Sequence, residues 1–100
     1  MLTRDDIVKK LHEQHAYLAN EYGVTKLGVF GSYARDHATE TSDVDLVVEF
    51  DRPIGFRFVE LAEYLEKLLG RRVDLLTPAG IQNIRLEHVA QEISQSVLYV

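Results

Sequence analysis

Val29-Phe30-Gly31-Ser32-Tyr33-Ala34-Arg35, a short polar stretch, and then Ser42-Asp43-Val44-Asp45-Leu46-Val47-Val48 form the part of this chain whose reading decides both fold and chemistry. A glycine–serine turn follows one apolar run, and two carboxylates two residues apart stand at the head of the next. Side chains two apart on a strand share a face. Asp43 and Asp45 therefore project together, while Val44 and Leu46 turn to the opposite face and pack. Two ionised carboxylates held close repel each other. A hard cation relieves that repulsion, because Mg²⁺ takes oxygen ligands and commonly combines one or two carboxylates with substrate phosphates. Gly31 lets backbone approach an anion with no Cβ in the way. Ser32 can cap a helix whose first N–H groups point at phosphate. Anion donors on one segment and metal ligands on the other describe a site for a nucleoside triphosphate on divalent metal.

Neither half is distinctive alone. Gly-Ser marks ordinary turns, and carboxylates at strand ends are commonly solvated. The conjunction carries the reading, since both halves fall at strand-to-turn junctions in the right order. Arg71-Arg72-Val73-Asp74-Leu75-Leu76 adds a third element, a short apolar strand with one central acid. Asp is disfavoured inside strands, so Asp74 needs a reason to be there. A third metal ligand and base supplies one.

The stretch from Gly31 to Asp45, Gly-Ser then ten residues then Asp-x-Asp, resembles the signature of the DNA polymerase β-like nucleotidyltransferase superfamily. Asp74 stands where that superfamily carries its third carboxylate. The short chain and the run Gly31 to Arg35 before Ser42 to Asp45 are similar to the minimal nucleotidyltransferases (MNT) of prokaryotes. The resemblance implies a minimal nucleotidyltransferase fold and an Mg²⁺-dependent transfer of AMP from ATP. Asp43 and Asp45 would hold one Mg²⁺, and with Asp74 a second near the attacking hydroxyl. Gly31 and Ser32 would grip the β/γ end of the triphosphate, with Arg35 reaching a phosphate oxygen. It further implies the antitoxin half of a type VII-like module, in a hetero-oligomeric complex with a HEPN-domain ribonuclease toxin that is modified on a tyrosine hydroxyl and silenced. Two alternatives stand beside it: a non-catalytic antitoxin that occludes its toxin, and a nucleotidyltransferase acting on a small molecule. One departure stands out. Relatives often carry glycine after the arginine, whereas Asp36 here adds negative charge near the phosphate site.

Composition agrees with a small module. One hundred residues are read as a single domain over residues 1–100, with room for a modest core and none for a second substrate domain. That moves the acceptor onto a partner. The absence of cysteine excludes disulfides, thiolate zinc sites and thiol catalysis, and fits a cytoplasmic protein. No apolar run reaches membrane-span length, and the N-terminus is polar rather than signal-like. A net charge of −5 disfavours direct binding to nucleic acid and favours a basic protein partner.

Thr3, with Asp5 and Asp6 behind it, reads as an acidic helix start. Ile7, Val8, Leu11, Leu18 and Tyr22 recur at helical spacing until Gly23 stops that helix. Lys26 to Phe30 is the first strand, Ser32 to about Asp36 a short helix start, and Val44 to Phe50 the second strand. Phe58, Leu61, Ala62, Leu65, Leu68 and Leu69 stripe a helix closed by Gly70. Val73 to Leu76 is the third strand, Ile84 to Ser94 a last helix, and Val97 to Val100 a short terminal strand. The alternation predicts an α/β (α+β) domain, a small mixed sheet covered by helices.

The remaining polar candidates read more simply. His12 and His15 share helical spacing but lack an acid to complete a site, and His37 and His88 read as solvated. Glu49 shares the face of Asp43 and Asp45, yet with Asp51 it belongs to the far end of the strand. Arg72 shares the face of Asp74, which leaves it a choice between that acid and a triphosphate.

Overall fold

A computed structural model describes residues 2–34, 38–39, 42–82 and 97–100. The chain starts with a reciprocal cap. Asp6 donates its backbone N–H to Thr3 Oγ1 at 3.1 Å, and Thr3 donates its own to Asp6 Oδ2 at 3.0 Å. The Thr3 N–H first, and its hydroxyl second, hold the Asp6 carboxyl below the ordinary aspartate range. This box opens helix α1 (Arg4–Glu13), which buries Ile7 and Leu11.

The single helix expected up to Gly23 is two helices. Gln14 leaves helical geometry at φ −96°, ψ 2°, and α2 (His15–Tyr22) follows it, burying Leu18 and Tyr22. Tyr64, far along the chain, donates its hydroxyl to Gln14 Oε1 at 2.6 Å and braces the bend. Gly23, left-handed at φ 73°, ends α2 and feeds directly into strand β1 (Val24–Phe30). That strand starts two residues before the expected Lys26, because a register shift between Val24 and Lys26 hides its first residues from an alternation pattern.

A four-residue helix, α3 (Gly31–Ala34), follows, and then β2 (Val44–Phe50), α4 (Arg57–Leu69), β3 (Val73–Leu76), α5 (Pro78–Gln82) and β4 (Leu98–Tyr99). The expected bounds of β2 and β3 match those observed. The expected helix over Ile84 to Ser94 lies outside the described residues. The sheet order is β3-β2-β1-β4, with β1 antiparallel to β2 and β4, and β2 parallel to β3. Parallel neighbours need a crossover, and α4 supplies it.

Period-two alternation divides the sheet into two chemically different faces. Leu27, Val29, Val44, Leu46, Val48 and Leu75 point one way and pack under the helices against Ile7, Leu11, Leu18, Leu61, Leu65 and Leu69. Gly28, Phe30, Asp45, Val47, Asp74 and Leu76 take the other face, where Phe30 and Val47 form a smaller buried cluster with Leu76 and Val97. One face therefore holds the fold, and the other displays the acids. Among the described residues no helix is long and apolar enough to cross a membrane.

Arg57 fastens α4 to α2. It bonds Glu21 at 2.7 Å and Glu60 at 3.1 Å, and lies 4.6 Å over the Tyr22 ring. Replacing Thr3 by Ala removes the hydroxyl half of the first cap and should lower stability by about 1 kcal/mol in urea melts. The Asp6 carboxyl, lowered in the fold, contributes fully above its unfolded value. The gap between the Thr3→Ala variant and the parent should therefore narrow as pH falls through the folded value.

Candidate active site

The site is assembled at the start of β2, where three segments meet. Strand β2 places Asp45 opposite Phe30 on its antiparallel side and opposite Asp74 on its parallel side. Neighbouring strands lie about 4.8 Å apart, so Asp45 and Asp74 are immediate neighbours on one face. Asp43 precedes the strand and is exposed, Asp45 is half-buried, and Asp74 is exposed. Next to Asp45, Val44 points inward and is fully buried, which turns Asp45 outward. Its N–H donates to the Arg72 carbonyl at 2.8 Å and locks the two acid-bearing segments together.

Phe30 leads straight into Gly31, so the pairing of Phe30 with Asp45 sets the turn beside the acid. Gly31 is left-handed at φ 71°, and a Cβ there would run into Asp45 Oδ2. Both facts demand glycine: the dihedral disfavours L side chains, and the carboxylate occupies the space. Helix α3 begins at Gly31 rather than after Ser32. Ser32 therefore stands within the first turn. First-turn N–H groups have no intrahelical partner, so the turn still offers donors beside Asp45.

Arg35, Asp36 and His37 lie outside the described residues, as does His88. His12 and His15 are exposed and fall on either side of the Gln14 bend. Among the described residues, no three His, Cys, Asp or Glu side chains stand close enough to make a preformed metal cluster. Like charges in register repel. The donors are nonetheless of the right kind: two carboxylates as register neighbours on one face, a third just ahead of the strand, and a glycine cradle beside them. Such hard oxygen ligands fit Mg²⁺.

Several supporting contacts have no clear signature in the sequence. Thr39 and Ser42 close the loop before Asp43, with Thr39 donating its N–H to Ser42 Oγ at 2.9 Å and accepting from the Ser42 N–H at 3.1 Å. Arg4 Nη1 donates to the Ala34 carbonyl at 3.4 Å, tying α1 to the end of α3. Tyr33 is buried in the main core and anchors the turn from below. An aromatic between Ser32 and Ala34 was a usable hint of that anchoring; Arg4 gave none.

A cavity of about 470 Å³ opens at the opposite end of β2, lined among others by Glu49, Asp51, Arg52, Thr77 and Pro78. Glu49 and Asp51 thus belong to the far end of the strand, as expected. The acid pair and the glycine turn stand at the other end of the strand.

The chain is similar to known proteins. The nucleotidyltransferase domain matches residues 8–99, and the chain belongs to that family. It is 42% identical to the protein adenylyltransferase MntA of Thermococcus cleftensis, over 100% of this chain and 98% of the relative. A solved structure provisionally described as a minimal nucleotidyltransferase superposes with a TM-score of 0.73 at 28% identity, covering 97% of this chain and 95% of that one. A chain from the structure of a tri-AMPylated Shewanella oneidensis HEPN toxin with its MNT antitoxin gives 0.53 at 21% identity, covering 96% and 66%. That last likeness is one of fold.

Replacing Gly31 by Ala should cost roughly 1–2 kcal/mol for the left-handed dihedral and displace Asp45, giving a lower melting midpoint together with weaker nucleotide binding. The buried Tyr33 hydroxyl has no hydrogen-bond partner among the described residues. Tyr33→Phe should therefore be neutral or stabilising, by up to about 1 kcal/mol, in the same melts.

Proposed function

We propose that this protein transfers AMP from ATP to a hydroxyl, most simply a tyrosine hydroxyl, on a HEPN-domain ribonuclease toxin, and so acts as its antitoxin. The observation that carries the reading is the register pairing of Asp45 with Asp74, beside a glycine turn against which the Asp45 carboxylate rests. Support for the activity comes from the full-length relative named a protein adenylyltransferase. Support for the partner comes from the fold shared with an antitoxin–toxin complex.

In this reading Gly31 and Ser32, with Arg35, hold the β- and γ-phosphates through turn N–H groups and charge. Asp43, Asp45 and Asp74 are the residues that would hold Mg²⁺. When bound, that ion supplies charge neutralisation for the triphosphate and for the negative charge that develops during transfer. Asp74, exposed on the open side of the pair, takes the proton from the acceptor hydroxyl. The hydroxyl oxygen then bonds to the α-phosphorus. The bond from that phosphorus to the bridging oxygen breaks, and pyrophosphate leaves with the electron pair. AMP remains as a phosphodiester on the acceptor. Positioning and electrostatics supply most of the acceleration in such transfers, which a short scaffold can provide.

The test uses α-labelled ATP, Mg²⁺ and the partner toxin. Label should pass to the toxin. Asp45→Asn and Asp74→Asn should each cut that transfer by about 10²-fold or more, the scale for losing a group that meets transition-state charge. Asp43→Asn with Asp45→Asn should abolish both transfer and neutralisation. Full neutralisation by that double variant would establish occlusion instead, and label on a small molecule but never on protein would overturn the toxin reading.

A further inference from the structure

The β2–β3 register, carried one step beyond Val44 and Val73, sets Arg72 beside Asp43 as Asp74 sits beside Asp45. Its backbone is fixed by the bond from Val44, while its side chain is exposed. By strand alternation that side chain shares the face of Asp74. A guanidinium among three carboxylates would be expected to pair with one of them. Among the described residues Arg4, Arg52 and Arg57 form ion pairs, and none is formed by Arg72. Its neighbour Arg71, by contrast, is half-buried and engaged.

Electrostatics explains how such a cation can stay uncommitted. An exposed pair is worth only about 0–1 kcal/mol, so little holds Arg72 to the acids. When those acids are neutralised by a bound cation, even that attraction disappears. What remains is a planar donor fork suited to phosphoryl oxygens. Its position says which phosphoryl group. The Gly31 turn lies on the β1 side of β2, the acids ride on β2, and Arg72 lies on the β3 side. A triphosphate gripped at its far end by the Gly31 turn and crossing the acids would bring its α-phosphoryl group toward Arg72.

We infer that Arg72 binds the non-bridging oxygens of the nucleotide's α-phosphoryl group, the group that is transferred, and not the departing pyrophosphate. This rests on the reading of the site as a nucleotidyltransferase centre. The test measures AMP and pyrophosphate binding separately by titration calorimetry with Mg²⁺ present, on the intact chain and its Arg72→Gln and Arg72→Lys variants. Arg72→Gln should weaken AMP binding about ten-fold, the size of one lost charge-assisted bond, and leave pyrophosphate binding within about two-fold. Arg72→Lys should recover part of the AMP affinity, because it keeps the charge and loses the fork. The melting midpoint should not move, since the side chain is exposed. Unchanged AMP affinity, an equal loss for both ligands, or no binding of either by the parent chain would each overturn the inference. The two readings fail separately. Labelled transfer that stops in Asp45→Asn while Arg72→Gln binds AMP normally would sink only this inference. AMP binding that depends on Arg72 without transfer to any protein would sink only the proposed acceptor.

Discussion

The parallel pairing of β2 with β3 is the constraint on which everything else here depends. It brings Asp45 and Asp74 together across one rung and seats Leu46 against Leu75 on the reverse of that same rung. A shift of one residue would turn each strand over and put acids where leucines belong. Folding and chemistry are thus not separately adjustable: the alternation that buries the apolar face is the one that turns Asp45 and Asp74 to the other. The bond from Val44 to Arg72 secures the end of that ladder where the site lies.

The helices make the pairing possible. Helix α4 covers the distance that a parallel connection requires, and its Leu61, Leu65 and Leu69 sit on the sheet at four-residue spacing. Gly70, left-handed at φ 68°, then turns the chain back into β3. On the other side, α1 reaches the site indirectly, through Tyr33 in the core and Arg4 on the Ala34 carbonyl. The turn that faces the acids is consequently held from beneath by apolar packing.

Much of this was legible in the sequence, for identifiable reasons. Strands β2 and β3 could be bounded because each alternates cleanly between buried aliphatics and outward acids. Helix α4 could be bounded because its leucine stripe ends in glycine. The bend at Gln14 could not be read, since Tyr64, its brace, lies fifty residues away in sequence. The start of β1 was obscured by exposed Thr25 and Lys26 next to a bulge. Within the site, spacing alone placed Asp43 and Asp45 on a common face. That Asp74 is the neighbour of Asp45 depends on strand order, which periodicity does not encode, and was available only through family resemblance. Ser32 read as a cap because serine favours that position; Gly31, left-handed and pressed against Asp45, turns the chain just before it.

Gly28 has a bearing on how the molecule comes to be whole. A Cβ there would lie 2.5 Å from Val97 Cγ1 and 3.1 Å from Tyr99 Cδ1, so the strand is bare at the spot where residues from far downstream cross it. Those residues complete the ladder, with Val100 donating to the Leu27 carbonyl at 2.8 Å. Until they arrive during synthesis, β1 has only β2 beside it and offers the ribosome-bound chain an open, largely apolar edge, the kind that recruits other strands. Such distant closure is also slow. The nascent protein is therefore most vulnerable to aggregation in the interval between making the acid pair and capping β1.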